Sequence, residues 1–493
     1  MLGTLIKKEV TETILDLRFV IATLLFVVLI PLGMYVSRKN YEERLADYQL
    51  KHRIYQQQYG KDVSFDVKAH GFRPPSVLSI FALGFEHFIP DRVITARSGV
   101  FSTAKDAGAS NSPSLLFGQL DLLFNMCFVI SLAALIFTFN SICGEKETGT
   151  LRLIVANSVP RGQILLSKII GNYVCLLIPF IISLLIALII LELSPVVSIF
   201  STKLCSSLLA ILLITFAFIF AMVSLGVLVS TLTQKSIISM TISLFAWVIF
   251  TLALPKATPM IARIAYPLES QETITMRKQS VLESIQKEFE QKSVEIHSKY
   301  RHIPEELIVK YFALKHSLST NPNPLIREET ITVVPLDREL IALDQERKKR
   351  IANGIKKIER DYENKRNIQN SIAMNLSRIS PVSCYTYLVS GLSNTGVTEF
   401  DKFMENAERY QDEVADTIYD NYQTRFFKKE DSSGTQITTL FDSEKASIPD
   451  IHYEYTSLAE ALQSGWVDIL LLFLFNILFF VAAFLRFRKY DVR

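Results

Sequence analysis

The chain has 493 residues, 49% hydrophobic and 20% charged, with 52 Lys and Arg against 49 Asp and Glu. The basic residues are scattered rather than gathered into one stripe, which excludes nucleic acid as a partner. The apolar residues are bunched into runs instead of being spread as a globular core spreads them, which excludes an ordinary soluble protein.

In chain order, residues 1–18 hold LIKKEVTETILDLR, where Leu5, Ile6, Val10 and Ile14 make a helical stripe beside Lys7, Lys8 and Glu12. Such a stripe predicts an interfacial amphipathic helix lying among membrane lipid headgroups. The first apolar run, 19–36, is longer than a usual signal core and is followed by SRKNYEER rather than a small-residue cleavage site, so it is expected to be a retained anchor. Further runs lie at 117–140, 169–191, 204–232, 236–254 and 466–485. At about 1.5 Å per residue each can cross a hydrocarbon core of about 30 Å. The expected fold class is an α-helical polytopic membrane protein with six transmembrane helices and a mainly helical extracytoplasmic domain.

Basic residues near the run ends orient the whole. With the N-terminus inside, the inner segments hold Lys7, Lys8 and Arg18, then Lys146, Arg152, Arg161 and Lys168, then Lys235, and finally Arg486, Arg488, Lys489 and Arg493. The loop between the third and fourth runs, expected outside, offers Lys203 against Glu192. A loop at 141–168 and a tail at 486–493 are then cytoplasmic. A small region at 37–116 and a large one at 255–465 are extracytoplasmic. The small region should begin by continuing the first helix outward as far as Gly60. In the large region 276–301 and Leu336–Arg378 read as helices, either bundled or separately solvated, with EETITVVPL at 328–336 as a short strand or extended connector.

Several signals lead nowhere. Cys127, Cys175 and Cys205 lie in or at the edge of runs, Cys143 at the end of one and Cys384 in a soluble stretch, with no C-x-x-C pair and no disulfide framework. His297 and His302, five apart, fall on different helix faces, and no H-E-x-x-H occurs, so no metal is expected. Asp121, Glu192 and Asp468 lie near run ends, where they read as interfacial anchors able to reach water. Pro31 and Pro179 are kink positions. The stretch GLSNTGVT, Gly391–Thr398, has the glycines of a phosphate-binding loop, but Val397 stands where the phosphate-pairing Lys belongs. It reads as a Gly-rich loop, and no catalytic residue is assigned.

The informative stretch is GEKETGTLRLIVANSVPRGQILLSK, Gly144–Lys168, polar and set between two apolar runs. Gly149 can end an incoming helix, and Thr150 can cap a new one with Leu151, Ile154 and Val155 on one face. Asn157 is a plausible stop, and Pro160 suits the first turn of the next helix. Such a helix can lie on lipid or insert into a groove on a cytoplasmic partner.

Glu145, Gly149, Thr150, Leu151, Pro160, Arg161, Lys168 and Gly171 give this stretch an E-x-x-x-G-T-L run, a Pro-Arg pair and a Lys-hydrophobic-hydrophobic-Gly lead into the next run. It resembles the cytoplasmic segment of permease subunits of the type-two ABC transporter family. FAWVIFTLALPKATP and LSRISPVSCY resemble a subgroup with a large extracytoplasmic domain before the last span. The resemblance implies that the segment is a coupling helix docking on a separate cytoplasmic ABC ATPase. Leu151, Ile154 and Val155 would carry the contact, with Glu145 and Arg161 as flanking polar partners. It also implies that ATP and Mg are bound by that partner and that this chain needs no cofactor of its own. A second permease subunit, identical or related, would complete the path, and the setting would be a bacterial cytoplasmic membrane. Export is the expected direction; the alternative is mechanotransmission to an extracytoplasmic protein partner without transport.

Overall fold

A computed structural model describes residues 2–59, 68–95, 101–104, 120–156, 159–194, 202–318, 332–427 and 448–489. Among these residues six helices are long and apolar enough to cross a membrane: Leu17–Gln57, Leu122–Glu147, Arg161–Glu192, Leu204–Leu232, Ser236–Ala265 and Trp466–Arg488. They form the polytopic helical bundle that the apolar runs predict.

Helix α1 (Leu2–Ile14) meets α2 (Leu17–Tyr59) at a turn where Asp16 accepts from the Arg18 amide at 3.1 Å. Helix α2 runs for 43 residues through Pro31 and beyond the span. The second span is built from α3 (Leu122–Phe124), a wide π turn at Asn125–Ile130 and α4 (Ser131–Thr138). Two short helices follow, α5 (Cys143–Glu147) and α6 (Thr150–Ala156), and then the third span α7 (Arg161–Glu192). The fourth span α8 (Thr202–Leu232) precedes the fifth, made of α9 (Ser236–Val248), a second π turn at Ile249–Ala253 and α10 (Leu254–Ala265). One apolar core joins Phe26 and Ile30 of the first span, Met126 and Ala134 of the second, Leu176 and Phe180 of the third, and Phe218 and Met222 of the fourth.

Outside the bundle, α11 (Gln271–Lys299) and α13 (Val334–Ser377) pair along their length, with α12 (Glu305–Leu318) between them in sequence. They are a pair rather than two separately solvated helices: Ile285 and Phe289 are buried, and Lys278–Glu359 and Arg350–Glu288 close at 2.6 Å each. Of the connector expected at 328–336, residues 328–331 lie outside the described residues, and the rest is helical. Val333 and Leu336 are three apart, so both can bury against Ile303, and Pro335 sits in the first turn of α13, where no N–H is needed.

Strands β1 (Ala69–Phe72), β2 (Arg92–Thr95) and β3 (Phe101–Ala104) form an antiparallel sheet in which Ala69 faces Thr95 and Arg92 faces Ala104. The sheet shares a core with α15 (Val397–Phe427): Ala69, Ile89 and Val93 pack with Phe403, Ala407, Tyr410 and Val414. The two regions read separately in the sequence, 37–116 and 255–465, therefore fold on each other.

Helix α14 (Pro381–Leu392), expected in a soluble stretch, instead packs into the bundle beside α8 and the last span α17 (Trp466–Arg488), which follows α16 (Leu458–Ser464). The Tyr385 ring stacks on Phe218 at 4.3 Å, its hydroxyl lies 3.0 Å from Thr215 Oγ1, and Cys384 is buried. Asp121 and Asp468 are buried rather than open to water. Asp121 caps α3, accepting from Phe124 N at 2.7 Å and Leu83 N at 2.8 Å, while Asp468 takes a two-pronged bond from Arg378 at 2.7 and 2.9 Å. Burying a carboxylate requires such partners.

Candidate functional site: the loop between the second and third spans

The loop is anchored first by the ends of neighbouring spans. Ser230 Oγ accepts from the amides of Ile142 and Cys143 at 3.0 Å each, so the turn into α5 rests on α8. Lys146 Nζ donates to the carbonyls of Thr231 and Thr233 at 2.6 and 2.9 Å, satisfying acceptors at the α8 C-terminus that have no helical partner. Glu147 Oε2 accepts from Ser236 N at 3.0 Å at the start of α9. The loop, the junction between α8 and α9, and the start of α7 are thus gathered at one end of the bundle. Arg161 Nη1 reaches Arg488 O at 2.5 Å and brings the end of α17 there too.

Gly149 has φ +75°, the left-handed conformation that ends helices, with open space around its Cα. Thr150 opens α6, and its hydroxyl lies 3.0 Å from that of Thr148. Asn157 lies outside the described residues. Pro160 is the residue before α7 and accepts from Gln163 N at 2.8 Å.

The apolar face of α6 packs on this chain's own bundle. Leu151 is 1% exposed and joins the bundle core that includes Ile164 and Leu165, with Ile154 and Val155 half-buried against it. An amphipathic stripe packs on the nearest apolar surface, and here the chain itself supplies one. Arg152 and Ala156 are exposed, and Leu153 is 68% exposed. The outward surface of α6 is therefore the opposite side from the one the stripe suggested.

Glu145 does not flank that surface. Its carboxylate lies 2.5 Å from Lys168 Nζ, and Glu9 of α1 reaches the same ammonium at 2.7 Å. The Lys168 side chain is only 4% exposed, so the three charges form a buried cluster tying α1, α5 and α7 together. Burial raises the Glu9 carboxyl above the ordinary carboxylate range, with Lys168 pulling against that rise. Gly171 permits the approach of α1, since a Cβ there would lie 2.7 Å from Glu9 Cβ. Lys168 and Gly171 of the motif thus seat α1, while Glu145 fastens the loop.

Sequence reasoning missed Glu9, Lys146 and Ser230. A signal for Glu9 was present: it lies four residues after Leu5 and three after Ile6, on the apolar side of α1, where an acid needs a basic partner. Lys146 and Ser230 gave no such signal, because their partners are remote backbone groups. The GLSNTGVT stretch is a junction in the outer cap: Thr395 Oγ1 donates to Ala82 O at 2.9 Å, and Phe85 N donates to Thr395 O at 2.8 Å. Among the described residues no group of three or more His, Cys, Asp or Glu side chains is placed to hold a metal ion.

A bundle of six candidate spans among the described residues, with a fastened loop of short helices at one end and a large cap at the other, defines a class, the multi-pass helical membrane protein. The family model described as ABC-2 family transporter protein matches residues 4–492, and the chain belongs to that family. It is therefore an ABC permease subunit, a membrane component that is not itself catalytic, and its family implies an ATPase partner in general. No curated protein sequence matches it.

Proposed function

We propose that this permease couples ATP hydrolysis by a separate cytoplasmic ATPase to export across a bacterial cytoplasmic membrane, with both termini on the ATPase side. The observation that carries the reading is the outward face of α6: Arg152 and Leu153 stand exposed beyond Gly149 while Leu151 roots the helix in the bundle. The ATPase binds ATP and Mg; this chain receives the movement. The contact passes from Leu151, Ile154 and Val155, which support α6 from within, to Leu153, Arg152 and the exposed Thr148–Thr150 turn. Gly149 and Thr150 shape that turn, and Glu145, Pro160 and Arg161 hold its base. Six spans are few to enclose a wide path, so a second permease subunit, identical or related, completes it.

The test is co-expression with an ABC ATPase partner. Leu153→Asp combined with Arg152→Glu should abolish co-purification and stimulated hydrolysis together while the unfolding midpoint holds. Retention of both activities by this variant would overturn the docking surface. One observation favours a second reading, force transmission to an envelope protein: α2 runs unbroken from Leu17 to Tyr59, out of the span and into the cap. A complex that hydrolyses ATP in liposomes, moves nothing and binds a defined protein through its cap would favour that reading.

A further inference from the structure

A cleft of about 440 Å³ opens on the side of the bundle between the first, second and fifth spans. Ile21 and Leu25 of the first span, Phe128, Leu132 and Ile136 of the second and Trp247 of the fifth line it. Both wide π turns border this region: Phe128 lies in the first, Trp247 two residues before the second, and the two rings meet edge to face at 6.4 Å. The indole N–H is used inside, donating to Ser131 Oγ at 2.9 Å, so Trp247 turns carbon toward the cleft.

Arg18 is the charged residue of the lining, and it sits at one end. From Arg18 to Phe26 the first-span wall covers about 12 Å at about 1.5 Å per residue, close to one leaflet of a hydrocarbon core about 30 Å thick. The guanidinium is held in place by Asn140 Oδ1 at 3.2 Å from Nη1, by Phe139, whose ring centroid is 4.9 Å from Cζ, and by Asp16 at 3.4 Å from Nε. Its side chain is 35% exposed, and among the described residues its bonds run from Nη1 and Nε, which leaves the two N–H groups of Nη2 for an oxygen anion.

We propose that this cleft seats one phospholipid of the leaflet nearest α1, with an acyl chain between the first, second and fifth spans and the phosphate on Arg18. Length, charge and chemistry all select this occupant. The walls lie on membrane spans, so no water-soluble partner reaches them. A carbon-lined groove one leaflet long ending in a partly exposed guanidinium is complementary to an acyl chain ending in a phosphate. A helix of a second copy would fill the groove but would bring an apolar surface against the charge. The site does not depend on the ATPase reading.

The test uses the full chain in lipid nanodiscs containing phosphatidylglycerol with a photoreactive acyl chain, followed by mapping of the labelled residues. Label should concentrate on Leu25, Phe128, Leu132 and Ile136. Arg18→Gln should lower it about tenfold, as expected for losing one charge-assisted hydrogen bond. Ala133→Trp, which fills the cleft, should remove it while label on the lipid-facing Phe473 of α17 persists. If Ala133→Trp does not fold, the Arg18→Gln result decides. Label spread evenly over the cleft and α17, label indifferent to Arg18→Gln, or a Leu25→Cys variant that cross-links to its own copy and takes up no lipid would each overturn the proposal.

Discussion

At the end of the bundle that carries α1 and the last turn of α17, Glu9 and Glu145 converge on Lys168. At the other end two cations converge on one acid: Arg44 and Arg73 both reach Glu86, Arg44 at 3.3 Å, and Arg44 also donates to Ser79 Oγ at 2.8 Å. Each cluster ties together segments far apart in the chain. What surrounds them differs. The inner cluster fastens the five-residue α5 to α1 and α7, and the seven-residue α6 that follows has Leu151 as its one fully buried apolar anchor. The outer cluster lies beside a shared apolar core of sheet and helix, with further ties such as Tyr453 and Thr456 on Glu399. Short helices gain little from propensity or burial, so the inner loop depends on its polar ties, the ion cluster together with the bonds of Ser230, Lys146 and Glu147, whereas the cap would keep its packing without its own cluster.

The largest expected effect breaks the inner cluster. Lys168→Met leaves two carboxylates without their cation and should cost about 3–5 kcal/mol. Hydrogen exchange should rise in 2–14 and 143–156 and stay unchanged in 69–95; an unaltered unfolding midpoint would mean the loop is held by something else.

Next comes the apolar anchor. Leu151→Ala should cost about 2–4 kcal/mol through lost burial and the cavity left behind, while Leu153→Ala should stay within about 0.5 kcal/mol. Equal effects in a denaturation series would contradict the outward assignment of Leu153.

The milder change in the cap, Glu86→Gln, should cost less, about 1–3 kcal/mol, because the amide oxygen still accepts a hydrogen bond from a guanidinium. Exchange should rise in 69–95 and 397–414 with the inner loop unaffected. A loss as large as that of Lys168→Met would erase the contrast between the two ends.

The smallest effect is a slope. Burial raises Glu399 above its ordinary value of 4.5, and the bonds from Tyr453 and Thr456 offset this only in part. The folded chain then keeps a proton that the unfolded chain has released, so this group's contribution to stability falls as pH rises from about 4.5 through the raised value. Thermal unfolding across that window should show the decline, and Glu399→Gln should flatten it; an identical slope in the variant would remove Glu399 as its source.

Much of this molecule was legible without coordinates because spanning a membrane imposes a long apolar run on each helix, and six such runs are written plainly. The turn at Gly149, the long α2, and the helical character of α11 and α13 were likewise local, set by one residue type or by a short repeat. What a stripe packs against was not legible in this way. The stripe of Leu151, Ile154 and Val155 is a true helical face, but a period states which residues stand together and not which surface they meet.

The sequence by itself determined the six spans, the short helix between two of them and the family motif around it, because each depends on residues close together in the chain. The tertiary structure alone decided that α6 roots itself through Leu151 and presents Leu153, that Lys168 is shared by Glu9 and Glu145, and that the sheet from 69–104 closes on α15. Those pairings join groups as far apart as Glu9 and Lys168, or Val93 and Phe403, and their energy comes from burial and charge partners that exist only once the segments have met.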